Sequence, residues 1–161
     1  MSAAVTGSEE CTFRKATKDD IDSVIEFMNK EEYAQDCGIK LDSLQYVVST
    51  TIEQQNFGFF LIAESQASAE STAKTIKGVA MVSFEFTDWR NGIFYWIQFA
   101  QGETQEIFDA LLKTIKTLSE EDEECKGIRA VYDNKYSEHW HKINEQLSLA
   151  ESHYYLYHFD A

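Results

Sequence analysis

The chain of 161 residues predicts a mixed α/β (α+β) fold, a central sheet with helices packed on its faces. Three observations carry this. Apolar residues recur with helical spacing in some stretches and in short strand-like runs in others. The resulting order, β-α-α-β-β-β-α-β-α-β, has no internal repeat. The composition, 43% hydrophobic and 14% aromatic, is that of a chain able to bury a core. The length suits one domain, expected over 11–161 behind a small, polar lead at 1–10.

The elements follow in order. "CTFRKA" alternates as a strand does. "TKDDIDSVIEFMNKEEY" opens on Thr17 as a helix cap, puts Asp19 and Asp20 in the first turn, and spaces Ile21, Val24, Ile25 and Met28 on one face. "LDSLQYVVSTTIEQQ" repeats Leu41, Leu44, Val48 and Ile52 at helical intervals. "GFFLIAES" reads as a buried strand, ended by a Ser/Ala-rich loop. "IKGVAMVSFEF" and "GIFYWIQFA" are strands joined by "TDWRNG", whose Asn91-Gly92 is a hairpin-turn signal. "ETQEIFDALLKTIKTLS" sets Ile107, Leu111, Ile115 and Leu118 on one stripe. The acidic "EEDEE" is expected as a solvated loop and "KGIRAVYD" as a strand. "NKYSEHWHKINEQL" reads as a helix and "HYYLYHF" as a terminal strand.

A net charge of −14 argues against nucleic acid or an anionic membrane as partner, since both need a basic face. It suits a cationic substrate or a basic protein, and equally a role in solubility alone. The three cysteines, Cys11, Cys37 and Cys125, lie in no metal spacing. With no apolar leader and no long apolar run, a cytoplasmic or nuclear protein with reduced thiols is expected. Proline is absent altogether, and no functional reason for that is apparent.

Three stretches carry a family resemblance. "FRKATKDDIDSVIEFMNK", "GVAMVSFEFTDWRNGIFYW" and "VYDNKYSEHWHK" resemble the opening strand and helix, the central hairpin, and the late strand and helix of the GNAT acetyltransferase superfamily. The nearest likeness is to the diamine (spermidine/spermine and thialysine) N-acetyltransferases, and it runs diffusely from Phe13 to about Phe159. It implies a GNAT-like mixed, mostly antiparallel central sheet flanked by helices. It also implies acetyl-CoA as cofactor, held near Phe99, Ala100, Gln101, Gly102 and Asn134, and a dimer.

The chain departs from that pattern where the chemistry would sit. Family members hold the cofactor's pyrophosphate on an Arg/Gln-x-x-Gly-x-Gly/Ala loop ahead of a helix, through backbone amides and the helix dipole. Here the joint is only "QGETQE", with one glycine, no arginine, and Glu103 and Glu106 expected in the first helical turn. Carboxylates there satisfy the positive end of the dipole themselves. The family's glutamate, a proposed base, falls on Ile97, and the next position is Gln98, which is no base. The tyrosine that protonates the leaving thiolate aligns with His141, a residue also able to act as an acid. Asn134, Ser137 and Trp140 match the neighbouring motif positions.

His139 and His141 are two apart on a helix and cannot comfortably share a metal, so a structural or surface histidine is the simpler reading of each. No metal spacing joins them to His153 and His158. Cys37 is read as ordinary. Glu31, Glu32, Asp36 and Asp42 fall where the polyamine enzymes hold their cationic substrate, although a solvated helix end explains them equally well. Trp89 and Tyr95 are the hairpin residues expected to meet a substrate or partner. The aromatic series Tyr95, Trp96, Phe99, Tyr154, Tyr155, Tyr157 and Phe159 reads first as packed core, and any exposed part as a subunit interface or partner site.

Two expectations follow. In the first, the chain is a degenerate, non-catalytic relative of the diamine acetyltransferases that binds another protein and takes no cofactor. In the second, it is an acetyl-CoA-dependent N-acetyltransferase of a small amine with His141 as acid. Lys113 and Lys116, more than two turns into the helix, are too far along to replace a pyrophosphate grip.

Overall fold

The structure is a computed structural model that describes residues 11–30, 40–66, 74–87, 89–130 and 137–150. The sequence-predicted lead at 1–10, terminal strand, Cys37, Glu31, Glu32, Asp36 and Asn134 lie outside the described residues. Strand β1 (Cys11–Lys15) leads through a 3-10 turn (Lys18–Asp20) into α1 (Ile21–Lys30). Helix α2 (Leu41–Glu53) follows, then strands β2 (Gly58–Ser65), β3 (Ile76–Thr87) and β4 (Gly92–Gly102). Helix α3 (Gln105–Glu121), strand β5 (Cys125–Ala130) and helix α4 (Ser137–Leu147) complete the fold.

These strands form one five-stranded sheet in the order β1-β2-β3-β4-β5. Neighbours are antiparallel except β4 and β5, which run parallel across the α3 crossover. The result is the mixed, mostly antiparallel α/β sheet flanked by helices that the sequence predicts.

The sheet is covered on both faces. Val24, Phe27 and Met28 of α1 and Leu44, Val48 and Ile52 of α2 pack on Phe60, Ile62, Val79 and Phe99. On the other face Ile107, Phe108, Leu111, Leu112 and Ile115 of α3, with Ile143 and Leu147 of α4, cover Leu61, Ala63, Val82, Tyr95 and Ile97. Covering both faces requires β2 to be apolar throughout, as "GFFLIAES" nearly is. Each fully buried leucine or isoleucine on α3 contributes roughly 1.5–3 kcal/mol.

Several boundaries differ from the sequence expectation, each for a local reason. Thr17 caps a 3-10 turn rather than α1 directly: Asp20 accepts from the Thr17 N–H at 2.7 Å and from its hydroxyl at 2.9 Å. Leu41 is 48% exposed because it opens α2, ahead of the stripe formed by Leu44, Val48 and Ile52. Helix α3 takes in the first two acids of "EEDEE" and stops at Asp122, whose N–H reaches the Leu118 carbonyl. Asn91 adopts a left-handed φ of 52° in the β3–β4 turn, the conformation an Asn-Gly hairpin asks for.

Candidate functional site

The joint between β4 and α3 is shorter than expected. Gln101 and Gly102 stay in the strand, opposite Val79 and Gly78 of β3, so only Glu103 and Thr104 connect it to the helix. Thr104 is the cap: its hydroxyl accepts from the Ile107 N–H at 3.3 Å, and its carbonyl accepts from the Phe108 N–H at 3.1 Å. Glu103 donates its N–H to the Lys77 carbonyl at 2.8 Å, and its carboxylate pairs with Lys77 at 2.9 Å. Glu103 therefore precedes the helix, and Glu106 is the acid of the first turn. The Glu106 carboxyl is held below its usual range, first by its own backbone N–H and then by the Thr104 hydroxyl.

Gly102 has a different use from the one its loop position suggests. A Cβ there would lie 2.7 Å from the Phe108 nitrogen and 3.1 Å from the Ile107 side chain. The glycine lets the strand end press against the helix backbone. The amides of Glu103, Ile107 and Phe108 are engaged within the chain, and of the nearby side-chain charges Glu103 and Glu106 are negative while Lys77 is paired with Glu103.

Upstream of the joint, β4 carries a bulge. Val82 faces Ile97 and Met81 faces Phe99, leaving Gln98 as an extra residue. Gln98 is exposed and donates to the Ser83 hydroxyl at 2.8 Å. The bulge reverses the alternation: Tyr95 and Ile97 face α3, whereas Phe99 turns toward α1 and α2 and Ala100 returns to the α3 side. Among the described residues, pairing to β5 covers Ile93 to Ile97, so Gln98–Gly102 has β3 as its described neighbour.

Among the described residues, the sequence-predicted ones do not form one cluster. Phe99 and Ala100 are core on opposite faces, while Gln101 and Gly102 are half-buried at the strand end. Tyr95 is 2% exposed and stands in the core, which corrects its expected place at a contact surface. Its ring packs on Phe59 and Phe84, and its hydroxyl donates to Asp122 at 2.7 Å, latching β4 to the end of α3. Burial, then the Asp122 carboxylate, pushes the Tyr95 hydroxyl well above its ordinary range. Trp89 is 93% exposed in the β3–β4 turn. His141 is exposed on α4, away from the Ile143 and Leu147 that face the core. Asp42 is exposed in the first turn of α2. Ile97 lies fully in the core, so the aligned base position holds a packed aliphatic.

Two charged groups of interactions escaped the sequence reading. Arg14 bonds Asp20 at 2.7 and 2.9 Å and Glu64 at 2.8 Å, and Lys74 bonds Glu64 at 2.9 Å, tying β1, β2 and the start of α1 together. The Arg14 bonds hold Asp20 down to about 2. Near the open end of the sheet, Arg129 lies 3.7 Å above the Phe94 ring and pairs with Glu85, which also accepts from Trp96. The alternation of β3 and β5 points these side chains to one face, but nothing in either strand alone says that they meet. Among the described residues, no three His, Cys, Asp or Glu side chains cluster as metal ligands, and no helix is long and apolar enough to cross a membrane.

This architecture is shared with known acetyltransferase structures. A possible acetyltransferase from Clostridium difficile 630 superposes with a TM-score of 0.77 at 23% identity, covering 94% of this chain and 97% of that one. A predicted acetyltransferase with acetyl-CoA from Clostridium acetobutylicum matches at 0.67 and 17% identity, over 92% and 96%. An aminoglycoside N-acetyltransferase in complex with CoA matches at 0.69 and 11%, over 97% and 98%. At these identities the likeness establishes the fold alone. No family model and no curated protein sequence matches the chain.

Proposed function

We propose that this protein is an N-acetyltransferase of a small cationic amine, of the polyamine or thialysine type. The observation that carries this reading is the fold shared over 94% of the chain with a possible acetyltransferase, at a TM-score of 0.77. Support comes from the bulged β4, whose strand end from Phe99 to Gln101 would hold the arm of an acyl thioester. The net charge of −14 suits an amine carrying positive charge. His141, exposed on α4, is the candidate acid, with Asn134 on the preceding segment as a further contact. Glu31, Glu32, Asp36 and Trp89 are candidate contacts for the amine.

The test is acetylation of spermidine and of a thialysine-like amine, followed by mass spectrometry of the amine. Product is expected from the wild type and lost in His141→Ala, with the circular dichroism of the variant unchanged. Absence of acetylated amine from the wild type with every thioester offered would end this reading.

One observation favours a second reading, a non-catalytic protein that binds a basic protein partner and takes no cofactor. It is the engagement of the α3 N-terminus by the chain's own acids. This reading includes a homodimer, which sedimentation velocity would resolve from a monomer of 18.5 kDa.

A further inference from the structure

We infer that the N-terminus of α3 is occupied by this chain's own Glu106 and does not seat the diphosphate of a nucleotide-bearing acyl donor. The inference begins with the length of the joint. With only Glu103 and Thr104 between strand and helix, no loop arches away from the sheet to form a concave row of amides. Three of the amides here are engaged within the chain: Glu103 donates to Lys77, Ile107 to the Thr104 hydroxyl and Phe108 to the Thr104 carbonyl.

Space is closed as well. Phe108 nitrogen lies 2.7 Å from where a Gly102 Cβ would be, so the glycine serves close packing of strand on helix. Charge completes the case. Glu106 sits in the first turn and Glu103 beside it, and Lys77, on the adjoining strand, is paired with Glu103. The Glu106 carboxyl, held below its usual range by its own backbone N–H and by Thr104, offers the helix dipole the negative group it would otherwise take from a ligand.

A consequence rests on the acetyltransferase reading. The donor recognised would then be the pantetheine thioester arm alone, with the nucleotide half adding nothing to affinity. Donors with and without the nucleotide should be used alike.

Isothermal titration of the full chain with coenzyme A, pantetheine and inorganic diphosphate tests this. Coenzyme A and pantetheine are expected to bind within about tenfold of one another, with no saturable binding of diphosphate. Coenzyme A binding more than about tenfold tighter than pantetheine, or saturable diphosphate binding, would overturn the inference. If neither coenzyme A nor pantetheine binds, the inference stands and the acetyltransferase reading falls, which separates the two. A second measurement needs no ligand. The amide resonance of Glu106 should follow protonation of its own carboxylate below the ordinary carboxylate range, and Glu106→Gln should remove that titration. An amide indifferent to pH in the wild type would show that the carboxylate is elsewhere, and the inference would fail.

Discussion

The 3-10 turn that leads into α1 and the start of α3 use the same local chemistry to different ends. Each begins with a threonine, Thr17 or Thr104, followed within three residues by an acid that turns back on the threonine. At α1 the acid is Asp20, and Arg14 reaches it from β1 while also holding Glu64 on β2. At α3 the acid is Glu106, on the surface, with its own N–H and Thr104 as partners. One carboxylate joins three elements. The other satisfies a helix end and little else. A capping acid stabilises a fold strongly only when tertiary partners fix it, whereas its effect on anion binding depends on position alone.

The largest effect is expected from Gly102→Ala. Its methyl group would meet the Phe108 nitrogen, a backbone atom that moves only with the helix. A loss of about 2–3 kcal/mol in urea unfolding is expected. A midpoint equal to wild type would show that the joint is looser than it looks.

Asp20→Asn should cost about 2 kcal/mol, since the carboxyl is drawn from 3.8 to about 2 in the folded state. A depressed carboxylate stabilises at pH values above its unfolded pKa, and that contribution disappears as the pH falls through the folded value. Wild-type stability should therefore decline between about 4 and about 2, with Glu64 contributing in the same direction. Thermal melts across that window should show a flatter profile for the variant. An unchanged slope would remove Asp20 from the acid limb.

Tyr95→Phe should follow at about 1 kcal/mol, because it removes the bond to Asp122 while keeping the ring on Phe59 and Phe84. Double-mutant cycles with Asp122→Asn would reveal whether the two groups act as one latch; additive losses would argue against it.

Glu106→Gln should have the smallest effect, with a melting temperature indistinguishable from wild type, because the side chain has no tertiary partner among those described. A drop as large as that of Asp20→Asn would erase the contrast between the two helix starts.

The order of helices and strands is local and was legible. Apolar spacing marks α1, α2 and α3, Asn91-Gly92 marks the hairpin, and the unbroken apolar run of β2 announces a strand covered on both sides. The shortness and acidity of the joint were legible for the same reason. The place of Glu103 was not, because Gln101 and Gly102 remain strand only through pairing with β3. Tyr95 shows the same limit. An aromatic next to a tryptophan gives no sign of which face it takes, and its distant hydroxyl partner, Asp122, lies 27 residues away.

By itself, then, the sequence determined the succession of elements, the cap at Thr17 and the negative character of the β4–α3 connection, since each depends on residues a few positions apart. Tertiary structure alone decided the bulge at Gln98, the opposite facing of Ile97 and Phe99, and the packing of Gly102 on α3. Those outcomes depend on register with a neighbouring strand and on the volume a helix occupies, and neither quantity is written in the spacing of side chains along one segment.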